Sequence, residues 1–304
     1  MFTVVFYQTI SLIIYMLIGV IVKVKGYFAK QVNVFLGWFL TNIALPSAIL
    51  RSFQMEYTAQ IKKLMLTSLL YSIVFIIGTL GLSYLFCVIF KRKYVERRMW
   101  VCCFTFSSIL FIGMPIVEAL YGEKGLIVLV IFNTVANLVL FTIGIMIFSN
   151  RYHLKWKQVV RTPAIIAALV GATLFVWKIP IPNFMYNSLK YLGDMTVPLS
   201  MILNGALFYS SNIKKVFLDV DNLLFSFIRL IIFPIIIIVI VIMKFVTDNY
   251  LLIGIVALIS GMPTGALNAV FAEEYAQKGE KVSQYITVST IISMFSLPII
   301  MLFL

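Results

Sequence analysis

Leu40-Thr41-Asn42-Ile43-Ala44-Leu45-Pro46 returns 152 positions later as Leu192-Gly193-Asp194-Met195-Thr196-Val197-Pro198, and both stretches lie inside apolar segments. The offset is half of the 304-residue chain. In each copy a polar side chain, Asn42 or Asp194, stands one helical turn before a proline near mid-segment. Each half also carries a Gly-Met-Pro in its fourth apolar segment, at Gly113-Met114-Pro115 and Gly261-Met262-Pro263. Proline there removes a helical hydrogen bond, so the chain reads as a duplication with matching interrupted helices.

With 62% hydrophobic and 12% charged residues and a mean hydropathy of +1.06, the chain has too little polar surface for a water-soluble domain. Its segments belong in a lipid bilayer. A helix needs roughly 20 apolar residues to cross the hydrocarbon core. Ten segments meet that need, at residues 4–22, 32–50, 64–90, 99–121, 126–148, 162–178, 185–209, 221–246, 250–273 and 284–303. The expected fold is an all-α membrane protein with ten transmembrane helices. No Lys or Arg precedes the first segment, which therefore reads as a retained span and not a signal peptide.

Five spans per half is an odd number, so a repeated second half enters the membrane from the opposite face. The expected units are residues 1–150 and 151–304, related as inverted repeats. Thr134, Asn137 and Thr142 in the fifth span stand 156 positions before Thr290, Ser293 and Pro298 in the tenth. Two registers follow for the interruption in the fourth span. Offset 148 pairs the two Gly-Met-Pro triplets, whereas offset 156 pairs Ser107-Ser108 with Pro263-Thr264. The second agrees with the neighbouring span and is the one expected; a simple proline kink is the plainer alternative.

The formal charge of +13 is carried by short loops between the spans and does not point to nucleic acid. Odd-numbered loops hold 16 basic residues, among them Lys91, Arg92, Lys93, Arg97 and Arg98, and even-numbered loops hold 7, including Arg51. The positive-inside rule then places odd loops in the cytoplasm and both termini outside a plasma membrane. Cys87, Cys102 and Cys103 fall at apolar positions and read as packing residues, and the only histidine, His153, reads as a solvated loop residue. No metal-ligand set, catalytic residue or nucleotide-binding loop is found, which argues against an ATP-driven pump or a membrane metalloprotease.

Ser107, Ser108, Gly113 and Pro115 in the fourth span, and Pro263, Thr264, Gly265 and Asn268 in the ninth, concentrate small, helix-breaking and hydroxyl residues near mid-bilayer. Non-helical backbone at that depth must be buried in protein or face a watery cavity. The second half of each broken span would present its N-terminus there, and converging N–H groups and helix dipoles suit an anion. Asn133 and Asn137 complete the candidate substrate site, with Asn42, Asp194 and Arg229 as coupling or supporting residues. An Asp194–Arg229 ion pair and a proton or cation site at Asp194 both remain open. Glu118, one turn after Pro115, reads either as favouring a half-helix start or as lining a vestibule, and Glu273 and Glu274 as solvated helix-end residues.

The stretch from Gly113-Met114-Pro115-Ile116-Val117-Glu118 to Gly122, that from Pro263-Thr264-Gly265-Ala266-Leu267-Asn268 to Tyr275, and the two second-span prolines resemble the auxin efflux carrier family in its short bacterial form. The resemblance covers essentially the whole chain. It implies a scaffold of helices 1, 2, 6 and 7, a transport domain of helices 3–5 and 8–10 whose fourth and ninth helices cross, and elevator-like movement of organic anions such as malate, malonate or auxin. Many relatives have Asn at the fourth-helix crossover where this chain has Ser108, a shorter side chain with fewer hydrogen bonds. The expected activity is secondary transport of a mono- or dicarboxylate, without a cofactor. Proton or sodium coupling and a homodimer are compatible with it, and a channel or a sensor of the same fold is the alternative.

Overall fold

The computed structural model describes residues 2–28, 30–150, 161–209, 213–242 and 249–303. His153 lies outside the described residues. The described chain is helical throughout, with one isolated antiparallel bridge, Ser107 to Thr264.

In order, α1 is Phe2–Val24, α2 is Lys30–Phe39 and α3 is Leu45–Ser52, with a π turn at Leu40–Ala44 between the last two. Then come α4 (Ala59–Ile89), α5 (Tyr94–Thr105), α6 (Ile109–Val139) and, after a π turn at Leu140–Gly144, α7 (Ile145–Ser149). The second half contains α8 (Pro163–Val176), α9 (Asn183–Asp194), α10 (Thr196–Tyr209), α11 (Ile213–Leu218) and α12 (Val220–Phe227). A π turn at Ile228–Ile232 leads into α13 (Phe233–Ile242), followed by α14 (Tyr250–Ser260), α15 (Leu267–Ala276) and α16 (Gly279–Ile300).

Among the described residues, six stretches are long and apolar enough to cross a membrane: Phe2–Val24, Gln31–Ser52, Ala59–Ile89, Ile109–Ser149, Val220–Ile240 and Gly279–Ile300. Two further apolar helices, Pro163–Val176 and Tyr250–Ser260, are shorter. The longest stretch spans 41 residues but is not one straight rod. Gly122 has φ +60° and ψ −152°, a conformation that needs glycine, and it interrupts α6. A Cβ placed on Gly113 would lie 3.2 Å from the Leu129 side chain, which a continuous helix would hold a long way off, so the chain doubles back at Gly122.

The prolines of the repeated stretches explain the irregular helices around them. A proline lacks its N–H and crowds the carbonyl four residues earlier. For Pro46 that residue is Asn42, inside the π turn Leu40–Ala44, and for Pro198 it is Asp194, where α9 ends. Pro234, outside the repeated stretches, acts in the same way on Leu230, inside the π turn Ile228–Ile232.

Lipid supplies no hydrophobic drive between helices, so packing and internal hydrogen bonding hold the assembly. Trp100, Phe104, Phe225, Phe233 and Tyr285 join α5, α12, α13 and α16 in one aromatic cluster, with centroid separations of 4.5 Å for Phe225–Tyr285 and 5.1 Å for Phe104–Phe233. Hydroxyls inside helices donate to carbonyls one turn back, as Thr9 does to Val5 and Thr79 to Phe75, which satisfies them without water.

An ion network ties the α4–α5 connection, α12 and α16 together at one end. Lys281 contacts Asp219 at 2.8 Å and Asp221 at 3.1 Å, Arg92 pairs with Asp221, and the Tyr285 hydroxyl donates to Asp221. Asp219 also caps α12 by accepting from the Asp221 N–H at 2.9 Å. The hydrogen bond from Lys281 holds the Asp219 carboxyl below its ordinary value. A lowered value means the stabilisation is complete above the unfolded value near ~4 and is lost as pH falls through the folded one. With the Asp219 side chain 38% exposed, the effect is under about 1 kcal/mol. Asp219→Asn, which keeps the cap, is expected to remove this acid-sensitive component from thermal unfolding scans taken between neutral pH and pH ~3. An unchanged difference between pH values would show that the tie contributes nothing.

Candidate functional site

Two interrupted helices meet at the centre of the fold. The chain leaves helical geometry after Thr105 and resumes at Ile109; in the other half it leaves after Ser260 and resumes at Leu267. The two extended segments bind each other. The Ser108 N–H donates to the Pro263 carbonyl at 2.8 Å, and the Gly265 N–H donates to the Phe106 carbonyl at 2.9 Å. Gly265 permits this approach, since a Cβ there would sit 3.1 Å from the Phe106 oxygen. Side chains complete the junction: Thr264 Oγ1 donates to the Cys103 carbonyl at 3.0 Å, and Asn268 Nδ2 donates to the Phe106 and Gly265 carbonyls at 2.8 and 2.9 Å.

A cavity of about 400 Å³ opens beside the junction. Ser107, Ser108, Thr264, Gly265 and Asn268 line it, with Asn133 and Asn137 from the second arm of α6. Its lining contains hydroxyls and amides but no charged side chain. The first turns of α6 and α15 form part of the wall, and neither helix is capped by a side chain at its N-terminus. Local carbonyls take the Ile109, Asn268 and Ala269 N–H groups, and the aligned peptide dipoles of the two helix starts give the cavity a positive edge without a formal charge. The Asn268 Oδ1 is buried without a partner among the described residues, since both amide hydrogens are turned to carbonyls.

The interruption in the first half is at Ser107-Ser108, the register expected from the offset of 156, and not at Gly113-Met114-Pro115. At several other positions the geometry differs from the sequence expectation. Pro115 is the seventh residue of α6, where it removes one hydrogen bond while the helix continues. Gly113 instead adjoins Met262 and Leu129, and neither it nor Pro115 lines the central cavity. Pro263 contributes its backbone carbonyl to the junction without lining the cavity. Asn42 also lies off the cavity; its amide donates to Trp38 O and Thr41 Oγ1 within its own segment. Glu273 is not simply solvated, because its Oε2 accepts from the Gly279 N–H at 2.9 Å and caps α16.

No Asp194–Arg229 ion pair forms. Asp194 instead meets Arg51 at 2.5 Å, and Arg51 also meets Glu118 at 2.9 Å. Arg51, expected in a loop, ends α3 with its side chain only 9% exposed, while the carboxylates are 48% and 49% exposed. This triad borders a second cavity of about 270 Å³, with Gln8, Ser11 and Tyr15 of α1, Pro115 and Pro198. Arg229 is fully buried elsewhere, donating to the Ser260 carbonyl.

The sequence reading missed Thr41, Ser200, Asn204 and Thr290 as cavity residues. Asn204 carried a usable signal, being an amide isolated in an apolar stretch, as Asn42 is.

The fold and this cavity define a multi-pass membrane protein with an uncharged, largely apolar pocket, dotted with hydroxyls and amides, at the meeting of two interrupted helices. The membrane transport protein family profile matches residues 4–155 and again residues 150–301. The chain therefore belongs to that family, which includes the auxin efflux carriers, and is a transporter and not an enzyme. It is 27% identical over 296 residues, 95% of each chain, to an uncharacterised transporter of Methanothermobacter thermautotrophicus. An uncharacterised transporter of Methanocaldococcus jannaschii is 27% identical over 203 residues, 64% of this chain and 65% of that protein.

Proposed function

We propose that this protein is a secondary carrier of small organic anions, mono- or dicarboxylates such as malate or malonate or an auxin-like weak acid. The carrying observation is the pair of uncapped helix starts, α6 and α15, that face one uncharged cavity of about 400 Å³, largely apolar with a few hydroxyls and amides. Such a pocket supplies N–H donors and two positive helix ends to a carboxylate, with Ser107, Ser108, Thr264, Asn133, Asn137 and Asn268 around it.

The reading includes ten crossings in two inverted units. Its supports are the reversal at Gly122, which divides the longest apolar stretch in two, and the double match of one family profile to consecutive halves. The bias of 16 basic residues against 7 supports termini outside a plasma membrane. In an elevator-like cycle, helices 3–5 and 8–10 carry the cavity against a scaffold of helices 1, 2, 6 and 7. The Arg51–Glu118 pair would then tie the scaffold to the moving unit and open in each cycle. Coupling to a proton or sodium gradient would act through Glu118 and Asp194, the carboxylates held on Arg51. Two copies would pair through scaffold helices.

Labelled malonate, malate, succinate and indole-3-acetate, offered to proteoliposomes with and without imposed proton and sodium gradients, test this reading. Saturable uptake with counterflow is expected. Flux that does not saturate would make the protein a channel, and binding without flux would make it a sensor.

A further inference from the structure

We propose that Arg229 is a positioning residue that sets the charge preference of the crossover cavity, favouring a dianion over a monoanion of similar size. Arg229 lies in the π turn Ile228–Ile232 and is the one fully buried charged side chain among the described residues. Its guanidinium donates to the Ser260 carbonyl and lies 5.3 Å from the Phe104 ring centroid and 5.0 Å from that of Phe233. No carboxylate pairs with it among the described residues, and its Nε has no acceptor there.

Those contacts place the charge at the back of the crossover. Ser260 is the last residue of α14, and Phe104 is the penultimate residue of α5. These two helices run into the junction by their C-termini, the negative ends of their dipoles. Arg229 binds a carbonyl at one such end and stacks on an aromatic ring at the other. It therefore offsets the poles that oppose an anion and leaves the positive starts of α6 and α15 facing the cavity. A buried charge is costly, and holding one carbonyl in place needs only a neutral donor. A full charge kept without a carboxylate partner, in surroundings where fields carry far, is suited to acting on a solute. The cavity lining itself contains no charge that would mask it.

The inference rests on the anion-carrier reading, and its test separates the two. Malonate and monomethyl malonate differ in charge with little change in size. Their affinities are measured by calorimetry at neutral pH on the purified protein, with thermal unfolding recorded alongside. Wild type is expected to prefer malonate, Arg229→Gln to lose about tenfold of that preference, and Arg229→Lys to keep it within about threefold. Gln keeps a neutral donor on a shorter arm, so with folding intact a role confined to holding that carbonyl would weaken malonate and the ester alike and leave the malonate-to-ester ratio unchanged in Arg229→Gln. That result would overturn the inference and leave the carrier reading standing. If Arg229→Gln does not fold, Arg229→Lys decides: a folded Lys variant without the preference overturns the proposal. A wild-type protein that binds the ester as tightly as malonate also overturns it, and one that binds no carboxylate removes the carrier reading and this inference together.

Discussion

Asn268→Asp is expected to lower carboxylate affinity about a hundredfold, roughly tenfold more than Asn268→Ala. The amide of Asn268 is fully buried and gives both hydrogens to carbonyls of the crossing segments, Phe106 O and Gly265 O. Alanine removes two hydrogen bonds worth about 1 kcal/mol each. Both carbonyls nevertheless keep a partner, because the Gly265 N–H still reaches Phe106 O and the Asn268 N–H still reaches Gly265 O. Aspartate has the same shape but no donor when ionised. It sets a carboxylate oxygen against two carbonyl oxygens and a negative charge beside a cavity proposed to receive anions. Malonate affinity and unfolding temperature measured on both variants check this. If the aspartate variant binds carboxylates as well as the alanine variant, the crossover is not an anion site.

The position of the crossover was legible in the sequence, but not from the feature that seemed to mark it. Gly113-Met114-Pro115 carries the strongest local helix-breaking signal, yet α6 runs through it. The true interruption at Ser107-Ser108 contains neither glycine nor proline. It is held open by Pro263 and Gly265, more than 150 positions away, so only the repeat register of 156 could point to it. The triad on Arg51 was illegible for the same reason: its partners lie 67 and 143 residues along the chain. Loop arithmetic placed Arg51 in water, whereas the fold buries it under two half-exposed carboxylates. Asp194 and Arg229 were rightly marked as unusual charges in apolar segments. Their partners were not, because an apolar pattern fixes which residues enter the membrane and leaves open which of them meet. Asn133, Asn137 and Asn268 do share one cavity, since a lone amide in an apolar helix needs polar company wherever the helix packs.

Gly205→Val is expected to destabilise the protein by about 3 kcal/mol or more and to reduce the folded yield in membranes. Helix α1 lies against α10, and each offers a glycine to the other's backbone. A Cβ on Gly205 would fall 2.0 Å from the Met16 carbonyl oxygen, and one on Gly19 would fall 2.0 Å from that of Ile202. Both neighbours are backbone atoms of helices, so no rotamer change relieves the clash, and the two axes must move apart along the contact. Separation forfeits the dispersion contacts that hold the helices together in lipid, and Gly19→Ala should behave in the same way. Gly78 and Gly81 in α4 are the controls, because a Cβ on either meets nothing within 4 Å. Gly78→Ala and Gly81→Ala should be neutral or stabilising by up to about 1 kcal/mol, since alanine is the better helix former. Thermal unfolding of the four alanine variants Gly19→Ala, Gly205→Ala, Gly78→Ala and Gly81→Ala in one detergent separates close packing from helix propensity. Equal melting temperatures across them would mean that α1 and α10 do not meet at these glycines.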